Sequence, residues 1–482
     1  MQSWEWEIFE QYVGNRMLEV IDSGPLFHPI KEFKISRDTE LDLIIHTRCD
    51  ANAATDYVDH PAGTVRINTE SVKLKSYSDT IITVGGVQPI KSKRITNYVT
   101  NKSELQETSS AHEISGCLKK NAEAKFIIEW VANIENNNEA MWPDIVTDEI
   151  KTSRKRTLSG DKEPITISSI SKSSNSKKNC IKLQIDGINF HIGTCASVDI
   201  DSSKFPGFIL YSDIVSEEIR RKIRGAASFV FGKPIIYLGE TSFNQKWEAI
   251  YFKAVSPNSM NGKAFSLHGM PLSPLKKPSE INMNNKMVSK MIEEFYRKHD
   301  DYDLLHISWL YWYACISPAH IAASQFGATL EAILRAYVEK HKSSFKKCLL
   351  DEANWMMIKN ELMGVLSKII DETSDIKEAK EVLKNKIENL NHSPQSQITK
   401  QFFKLINLEL TKNEEKVFKQ RNKSAHGGKT ANSDNIKFIK EVKILRLFCN
   451  RILLKIFDAS EYYVDYHTSH YPVKRIEDPI LL

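Results

Sequence analysis

The pattern of apolar residues changes in character about halfway along the chain. In the first half, apolar and β-branched residues occur in short stretches that often alternate with polar ones, as in ELDLIIHTRC, DTIITVGGV, AKFIIEWVANI and WEAIYFKAV. Glycine, proline, asparagine or serine separates these stretches, which is typical of short strands joined by turns. The pattern predicts that residues 1–265 form a β-rich region of one or two subdomains, built as an antiparallel sandwich or open barrel.

Two segments interrupt the predicted strands. Residues 216–232 (SEEIRRKIRGAASFVFG) begin with a serine and two glutamates and have a basic interior, which predicts one helix. Residues 151–179 are rich in serine and lysine and contain no aromatic residue, so we expect a flexible, basic insertion. The run ITISSI inside it could still form a strand. A solvated loop is favoured here over a nucleic-acid contact.

Helical spacing dominates the second half. Residues 266–280 are rich in proline and serine and are interpreted as a linker. In residues 281–475, stretches such as AHIAASQFGATLEAILRAYVEKH have apolar residues at helical spacing, and the loops between them are short. Short loops favour an antiparallel bundle, and residues 476–482 form a tail. The predicted fold class is α+β and multidomain, with a β-rich N-terminal half followed by an all-α bundle.

The net charge is distributed unevenly. The whole chain carries a formal charge of +5, but residues 411–456 contain twelve Lys or Arg against four Asp or Glu. This segment has a net charge of +8, so the remaining residues sum to −3. A basic segment on a near-neutral body favours an anionic partner at that place, although a solvated helix face would give the same count.

Cysteine usage and the apolar runs bear on the compartment. The seven cysteines form no CxxC pair, and their number is odd, which argues against a disulfide framework or a zinc ribbon and favours a reducing cytoplasm. The acidic start MQSWEWEIFEQ lacks the pattern of a signal peptide. The most apolar run, LLHISWLYWYACISPAHIAA, is interrupted by polar residues and is interpreted as a buried helix. We therefore expect a cytoplasmic protein without a membrane span.

One basic stretch, KVFKQRNKSAHGGKT, combines helix-end signals with residues that can perform chemistry. Thr411 and Glu414 form a T-x-x-E capping box, which predicts that a helix starts there. The glycine pair at the end of the stretch predicts that this helix stops beside His426, with Arg421 in its last turns. A helix C-terminus favours the imidazolium form, which suits a histidine that donates a proton. On an ideal helix the two residues lie about 140° apart, so they converge only if the helix ends between them.

The full motif resembles the ribonuclease signature of the HEPN superfamily. It reads Arg421-Asn422-Lys423-Ser424-Ala425-His426 and is followed by a long amphipathic helix. The β-rich first half and the aromatic segment YYVDY…YPVKRIEDP resemble the ApeA-type anti-phage branch of that superfamily. The resemblance covers residues 281–475, and over residues 1–265 it concerns architecture alone. It implies RNA cleavage by a homodimer, without a metal or another cofactor.

The motif residues fit the chemistry that the resemblance implies. A ribonuclease without metal uses the 2′-hydroxyl of its substrate as nucleophile, and needs a base, an acid and a cation for the phosphorane charge. Arg421 suits the cationic role because a guanidinium grips phosphate oxygens and stays charged. His426 suits proton transfer, and Asn422 is expected to hold the phosphate or orient His426. One chain offers a single histidine here, and a two-fold dimer would supply a second.

Four further residues are candidates for supporting roles. Family members often carry an acidic residue on an early helix that pairs with the motif arginine, and Glu331 is the candidate here. The alternative for Glu331 is an i,i+4 pair with Arg335 on the helix surface. Three lysines around the motif are expected to contact RNA: Lys419, Lys423 and Lys429.

The leading hypothesis is a HEPN-type endoribonuclease that acts in defence against phage. The bundle would cut RNA, with transfer RNA as the expected substrate. The β-rich half would sense a trigger such as a phage-derived protein. Two alternatives belong to other classes. One is a non-catalytic dimer that binds RNA or an acidic protein through its basic helix, and the other is a carbohydrate- or peptide-binding β-sandwich with a helical dimerisation domain.

Overall fold

The computed structural model of the chain contains two compact units, Met1–Arg297 and Lys298–Leu482. The structure describes residues 18–54, 71–76, 79–97, 102–134, 142, 144–158, 165–195, 202–257, 260, 262–267, 270, 272, 285–371, 377–425 and 435–480. No helix in these ranges is long and apolar enough to cross a membrane.

Antiparallel strands make up most of the first unit. One sheet contains β1 (Glu19–Asp22), β4 (Ser71–Lys75), β5 (Ile81–Gly85), β8 (Glu113–Cys117), β9 (Phe126–Ala132), β10 (Asp144–Leu158), β11 (Ile165–Ile185), β12 (Ile188–Thr194), β13 (Gly207–Tyr211), β14 (Ile236–Phe243) and β15 (Ala249–Val255). Its strand order is β1-β4-β5-β8-β15-β14-β9-β13-β12-β11-β10. The second sheet contains β2 (His28–Arg37), β3 (Leu43–Ala54), β6 (Gln88–Asn97) and β7 (Lys102–Ala111), in the order β2-β3-β7-β6.

The two sheets share one apolar core. Leu43 and Ile45 of β3 are fully buried and belong to the same cluster as Ile82 of β5, Trp130 of β9 and Phe208 of β13. Along β3, buried and exposed positions alternate, as expected for a strand with one face on a core. The predicted antiparallel, β-rich first half is confirmed, and the two sheets pack in the manner of a sandwich.

Local signals in the sequence explain the turns and the helix of this unit. Asp186 and Gly187 join β11 to β12 with positive φ angles of 47° and 82°, which the Asp-Gly pair adopts readily. The predicted helix is present as α1 (Glu217–Phe231). The Ser216 hydroxyl caps it by accepting from the amide of Ile219 at 3.4 Å, and it ends at Gly232 with φ 73°.

A second helix, α2 (Asn285–Arg297), also belongs to the first unit. It contacts α1, and the ring centroids of Phe229 and Phe295 lie 5.4 Å apart. The sequence predicts that this helix belongs to the bundle, because it follows the predicted linker 266–280. The contacts instead divide the chain between Arg297 and Lys298.

The segment 151–179, predicted as a flexible insertion, contains paired strands in its described residues. Residues of β10 and β11 form one continuous antiparallel ladder from Ile145↔Lys178 to Leu158↔Ile165. The run ITISSI lies at the start of β11 and is a strand. Serine-rich composition misled the sequence interpretation because it weakens strand propensity but does not prevent ladder hydrogen bonds.

Helices form most of the second unit. They are α3 (Leu304–Ile316), α4 (Ala319–Lys340), α5 (Glu352–Asp371), α6 (Lys377–Asn389), α7 (Gln395–Leu405), α8 (Lys412–Ala425) and α9 (Asn435–Ile456). The segment after α9 contains a hairpin of β16 (Tyr462–Val464) and β17 (Val473–Arg475). A β-rich half followed by helices confirms the α+β class.

The long helix α4 is the centre of this unit. It contacts α3, α7, α8 and α9. Aromatic rings connect these helices: Tyr337 of α4 lies 5.1 Å from Phe402 of α7, and Phe403 of α7 lies 5.4 Å from Phe418 of α8. Both pairs are edge-to-face, an arrangement that adds to the stability gained from burial alone. The helix that carries the candidate motif is therefore packed directly into the core.

Candidate active site

Helix α8 begins with the predicted capping box. The Thr411 amide and hydroxyl both donate to Oε2 of Glu414, at 2.8 and 3.0 Å. In return, the Glu414 amide donates to the Thr411 hydroxyl oxygen at 3.2 Å. These reciprocal bonds satisfy backbone groups that the first turn of a helix leaves without partners. The start of the helix predicted from the sequence is confirmed.

The Glu414 carboxylate also forms a buried ion pair. Its Oε1 accepts from Nη1 of Arg451 at 2.7 Å and from the amide of Ile480 at 3.0 Å, and both charged side chains are fully buried. Arg451 donates from Nε to the carbonyl of Ile476 at 2.5 Å, and its guanidinium lies over the ring of Tyr463. The pair thus joins α8 to α9 and to the chain after β17. Residues 476–480, which the sequence analysis regarded as part of a tail, belong to this anchor.

The contacts of α8 with α9 show that the two helices run antiparallel. Glu414 pairs with Arg451, and one turn later the Phe418 ring lies 6.3 Å from Phe448, one turn earlier in α9. Val417 and Phe418 are buried. Position 421 follows Glu414 by seven residues, which is two helical turns, so it lies on the same face of α8 as the buried anchor.

The candidate motif occupies the end of α8. Positions 421–425 are helical, and the helix reaches Ala425, directly before His426, as the sequence predicts. Of the predicted site residues, His426 and Lys429 lie outside the described part of the chain. For Arg421, Asn422 and Lys423, the structure describes the helical backbone but not the side chains. Whether Arg421 and His426 converge therefore stays a prediction.

Two other candidate residues are described with their side chains. Lys419 is 76% exposed and lies 3.3 Å from Glu415, one turn earlier on α8. Glu331 lies on an exposed position of α4, a helix that contacts α8. Its pairing with Arg421 stays a prediction because only one of the two side chains is described.

A groove of about 510 Å³ lies beside α8. It is lined by residues of α7, of the connection that follows it and of α8. Phe403 and Phe418 provide apolar surface, and the lining carries the ammonium groups of Lys400, Lys404 and Lys419 together with the carboxylates of Glu409 and Glu415. Apolar surface with cationic groups suits the base and the phosphate of a nucleotide.

A second polar contact between helices is buried near the motif helix. The Tyr311 hydroxyl of α3 donates to Oδ1 of Asn450 at 2.8 Å and accepts from Nε of Arg446 at 3.3 Å, both in α9. Burial raises the pKa of the Tyr311 hydroxyl, so it remains a donor. Tyr311 and Trp312 are buried, whereas Trp309 is 54% exposed, so the aromatic run lies largely in the core.

The anchor around Arg451 is not among the sequence predictions. A signal is present, because Arg451 stands in the largely apolar run FCNRILLKIF and Glu414 lies one turn before the apolar pair Val417 and Phe418. A charged residue on an apolar helix face indicates a buried partner of opposite charge. The identity of that partner depends on tertiary packing.

Helices α5 and α6 form a hairpin with unusual surface composition. Asn391 closes its base, since its side chain accepts from the amide of Leu350 at 2.8 Å and donates to the same residue's carbonyl at 3.1 Å. Every described residue of α5 is exposed or half-buried. Apolar side chains of the hairpin that are more than a third exposed are Met356, Met357, Ile358, Leu362, Val365, Val382 and Leu383. An exposed apolar surface of this extent is typical of an interaction site.

Comparison of the chain with protein-family models, with curated proteins and with solved structures yields no significant match.

Proposed function

We propose that the protein is a metal-independent endoribonuclease of the HEPN type. The proposal is carried by the position of the Arg421-Asn422-x-x-x-His426 motif at the C-terminal end of α8. The first half of that helix is held by a buried ion pair and by aromatic packing. A helix that is anchored at one end and carries ionisable residues at the other can hold them in a defined position, which acid–base catalysis requires.

Each motif residue has a role in this chemistry. The substrate's 2′-hydroxyl attacks the adjacent phosphorus, and the 5′-oxygen leaves with a proton. His426 transfers a proton in this step, Arg421 stabilises the charge that develops on the phosphorane oxygens, and Asn422 holds the phosphate or orients His426. Lys419, Lys423 and Lys429 contact the RNA backbone, and Glu331 pairs with Arg421. The products carry 2′,3′-cyclic phosphate and 5′-hydroxyl ends.

The active form is a homodimer in this proposal. Each chain supplies one motif histidine, and a two-fold axis brings a second one to the reaction. The exposed apolar surface of the α5–α6 hairpin supports association through the helical unit, because burying it removes apolar area from water. Analytical ultracentrifugation of the full chain measures this state. A monomer at concentrations where RNA is cut would contradict the dimer.

The biological role that we propose assigns one task to each unit. The helical unit cuts RNA, with transfer RNA as the expected substrate, and the β-rich unit responds to a trigger such as a phage-derived protein. The protein acts in the cytoplasm as a defence effector that stops growth of the infected cell. The resemblance of the motif and the architecture supports this part of the proposal.

The proposal is tested with purified protein and total RNA. Wild type is compared with Arg421→Ala, His426→Ala and Lys416→Ala, where Lys416 is an exposed residue of the same helix that matches the loss of one charge. We expect the first two variants to lose at least 100-fold in cleavage rate, as for removal of an acid–base group, and the control to stay within about threefold. EDTA should leave the cleavage unchanged, and DNA should not be cut.

Two outcomes would contradict the nuclease. Equal cleavage by all four proteins places the activity elsewhere or in a contaminant. The non-catalytic RNA-binding dimer is favoured instead if the protein binds RNA without cleaving it. This result must hold both for the protein by itself and for the protein produced in phage-infected cells.

A further inference from the structure

The β10–β11 ladder extends beyond the sheet as a two-stranded ribbon. β11 pairs with β12 only over Cys180–Ile185, whereas β10 pairs with β11 from Asp144 to Leu158. Residues 145–158 and 165–179 therefore have only each other as strand partners within the described chain. At about 3.3 Å per residue, this ribbon is about 45 Å long.

Both faces of the ribbon are open to solvent. The side chains of Ile145, Ile150 and Ile170 are 58%, 48% and 64% exposed. A two-stranded antiparallel ribbon without a covered face is marginally stable in water. Its length and exposure indicate a surface that is completed by a partner.

The charge of the ribbon indicates that this partner is a polyanion. In the sequence, residues 145–158 and 165–179 include seven basic residues, namely Lys151, Arg154, Lys155, Arg156, Lys172, Lys177 and Lys178, against Asp148 and Glu149. Lys151 and Lys172 stand directly opposite each other in the ladder. Two like charges at such a pair destabilise a ribbon unless an anion lies between them.

Four of the five lysines of the ribbon lie on one face, together with hydroxyl groups, while the positions of Lys177 and the two arginines belong to the other face. Side chains alternate between the two faces of a strand, and residues that stand opposite each other share a face. The odd-numbered residues of β10 therefore share one face with their partners in β11. This face includes Lys151, Lys155, Lys172 and Lys178. The same face carries Ile145, Thr147, Glu149, Ser153, Thr157, Thr166, Ser168, Ile170, Ser174 and Ser176, so its net charge is +3. Lysine ammonium and serine or threonine hydroxyl groups are common donors to phosphate oxygens.

The composition and the width of the ribbon distinguish between kinds of nucleic acid. Proteins that hold single strands stack the bases on aromatic side chains, and residues 144–180 contain no Phe, Tyr, Trp or His outside or inside the ladder. The major groove of B-form DNA admits a two-stranded β-ribbon, whereas that of A-form RNA is too deep and narrow. We propose that the β10–β11 ribbon binds double-stranded DNA through the face that carries Lys151 and Lys172, with contacts mainly to phosphates.

This binding site is independent of the proposed ribonuclease, because it lies in the first unit and involves no cleavage. The test uses the full chain and a fluorescent 30-base-pair DNA duplex of random sequence, with binding measured by anisotropy between 50 and 300 mM salt. With four phosphate contacts, the logarithm of the affinity should fall with the logarithm of salt with a slope of about −4. Duplex RNA and single-stranded DNA of the same length should bind at least tenfold more weakly.

Paired variants locate the site on the ribbon. Lys151→Ser/Lys172→Ser should reduce the steepness of the salt slope by about two and weaken binding at 100 mM salt by roughly 50-fold. Lys91→Ser/Lys93→Ser removes the same charge from exposed positions of β6 and should bind like wild type. Lys151→Arg/Lys172→Arg keeps the charge and should retain binding, which separates a lost contact from a misfolded ribbon. Equal weakening by the β6 variant, or tighter binding of duplex RNA or single strands, would overturn the proposal.

Discussion

Each unit of the protein contains a centre in which buried carboxylates meet arginines, and the two centres are built differently. In the first unit, Glu129 and Glu240 stand opposite each other on β9 and β14, and Arg220 and Arg224 of α1 neutralise them. In the second unit, the single carboxylate of Glu414 meets the single guanidinium of Arg451. The first centre is shared among several side chains, and the second depends on one pair.

The difference lies in how much of each centre remains when one member is lost. Arg220 donates to Glu129 at 3.1 Å and to Glu240 at 2.6 Å, so it still serves both carboxylates without Arg224. The Tyr237 hydroxyl donates to Glu240 at 3.0 Å as well. Glu414 has no second cation among the contacts described for it, and its remaining donors are Thr411 and one backbone amide. Shared centres tolerate loss, whereas a single buried pair does not.

The largest expected effect is the loss of the single pair. Arg451→Met leaves the Glu414 charge buried without a cation and should cost about 3–5 kcal/mol of the local stability of α8. Arg224→Met should cost α1 about 1.5–3 kcal/mol, as for one hydrogen bond to a charged group. Hydrogen exchange with mass spectrometry measures both, because peptides report on each helix separately. Arg335→Met is the control, because Arg335 is exposed. It should change the local stability by no more than about 0.5 kcal/mol. A larger loss for Arg224→Met would refute the distinction between the two centres.

A second comparison concerns one buried carboxyl in each unit. Burial raises the pKa of Glu107 above its ordinary value of 4.5, although the amide of Phe27 donates to it at 3.1 Å. Burial acts in the same direction on Asp465, but hydrogen bonds from Lys474, Thr468 and the amide of His467 outweigh it and hold the pKa of Asp465 below 3.8. The contributions of these two carboxyl groups to stability should therefore change in opposite directions as the pH falls.

The sign of each response follows from the direction of its pKa shift. The stability that Asp465 contributes is complete above pH 3.8 and is lost as pH falls through its folded pKa. The contribution of Glu107 to stability is most favourable below pH 4.5. It declines as the pH rises through the raised pKa of this carboxyl group. At pH 7, Asp465→Asn should destabilise its segment by about 2 kcal/mol, and Glu107→Gln should stabilise β7 by about 1 kcal/mol.

The stability changes at pH 7 are measured by the same hydrogen-exchange experiment. Their dependence on pH is measured by chemical unfolding between pH 3 and 7. Asp458→Asn is the control, because Asp458 is exposed. Both differences from wild type should shrink towards pH 3. An effect of Asp465→Asn that is independent of pH would mean that the carboxylate charge does not stabilise the fold.

The smallest expected effect compares the N-terminal caps of the two helices. Thr411→Ala removes a reciprocal capping box and should cost α8 about 1 kcal/mol. Ser216→Ala removes one longer bond of 3.4 Å from α1 and should cost about half as much. If the proposed function holds, Thr411→Ala should also slow RNA cleavage, while Ser216→Ala should leave it unchanged. An equal loss of cleavage in both variants would mean that RNA cleavage does not depend specifically on the anchoring of α8.

Local signals predicted much of this fold. The capping box at Thr411 and the serine that opens α1 each act over four residues or fewer, so they can be read along the chain. The ribbon in 151–179 was mistaken for a loop because its exposed strands lack the apolar alternation that marks a half-buried one. The candidate motif was visible in the sequence, and the structure describes the helix that carries it but not its side chains.

By itself, the sequence determined the β-rich first half, the helices of the second half and the start of α8, because periodicity, caps and turns are local properties of the chain. Only the tertiary structure decided that Glu414 meets Arg451, that Glu129 and Glu240 share Arg220, and that α2 joins the first unit. These partners lie 37 or more residues apart in the ion pairs around Glu414 and Glu129. Such pairings depend on which helix or strand packs beside which, and many arrangements are compatible with the same local pattern.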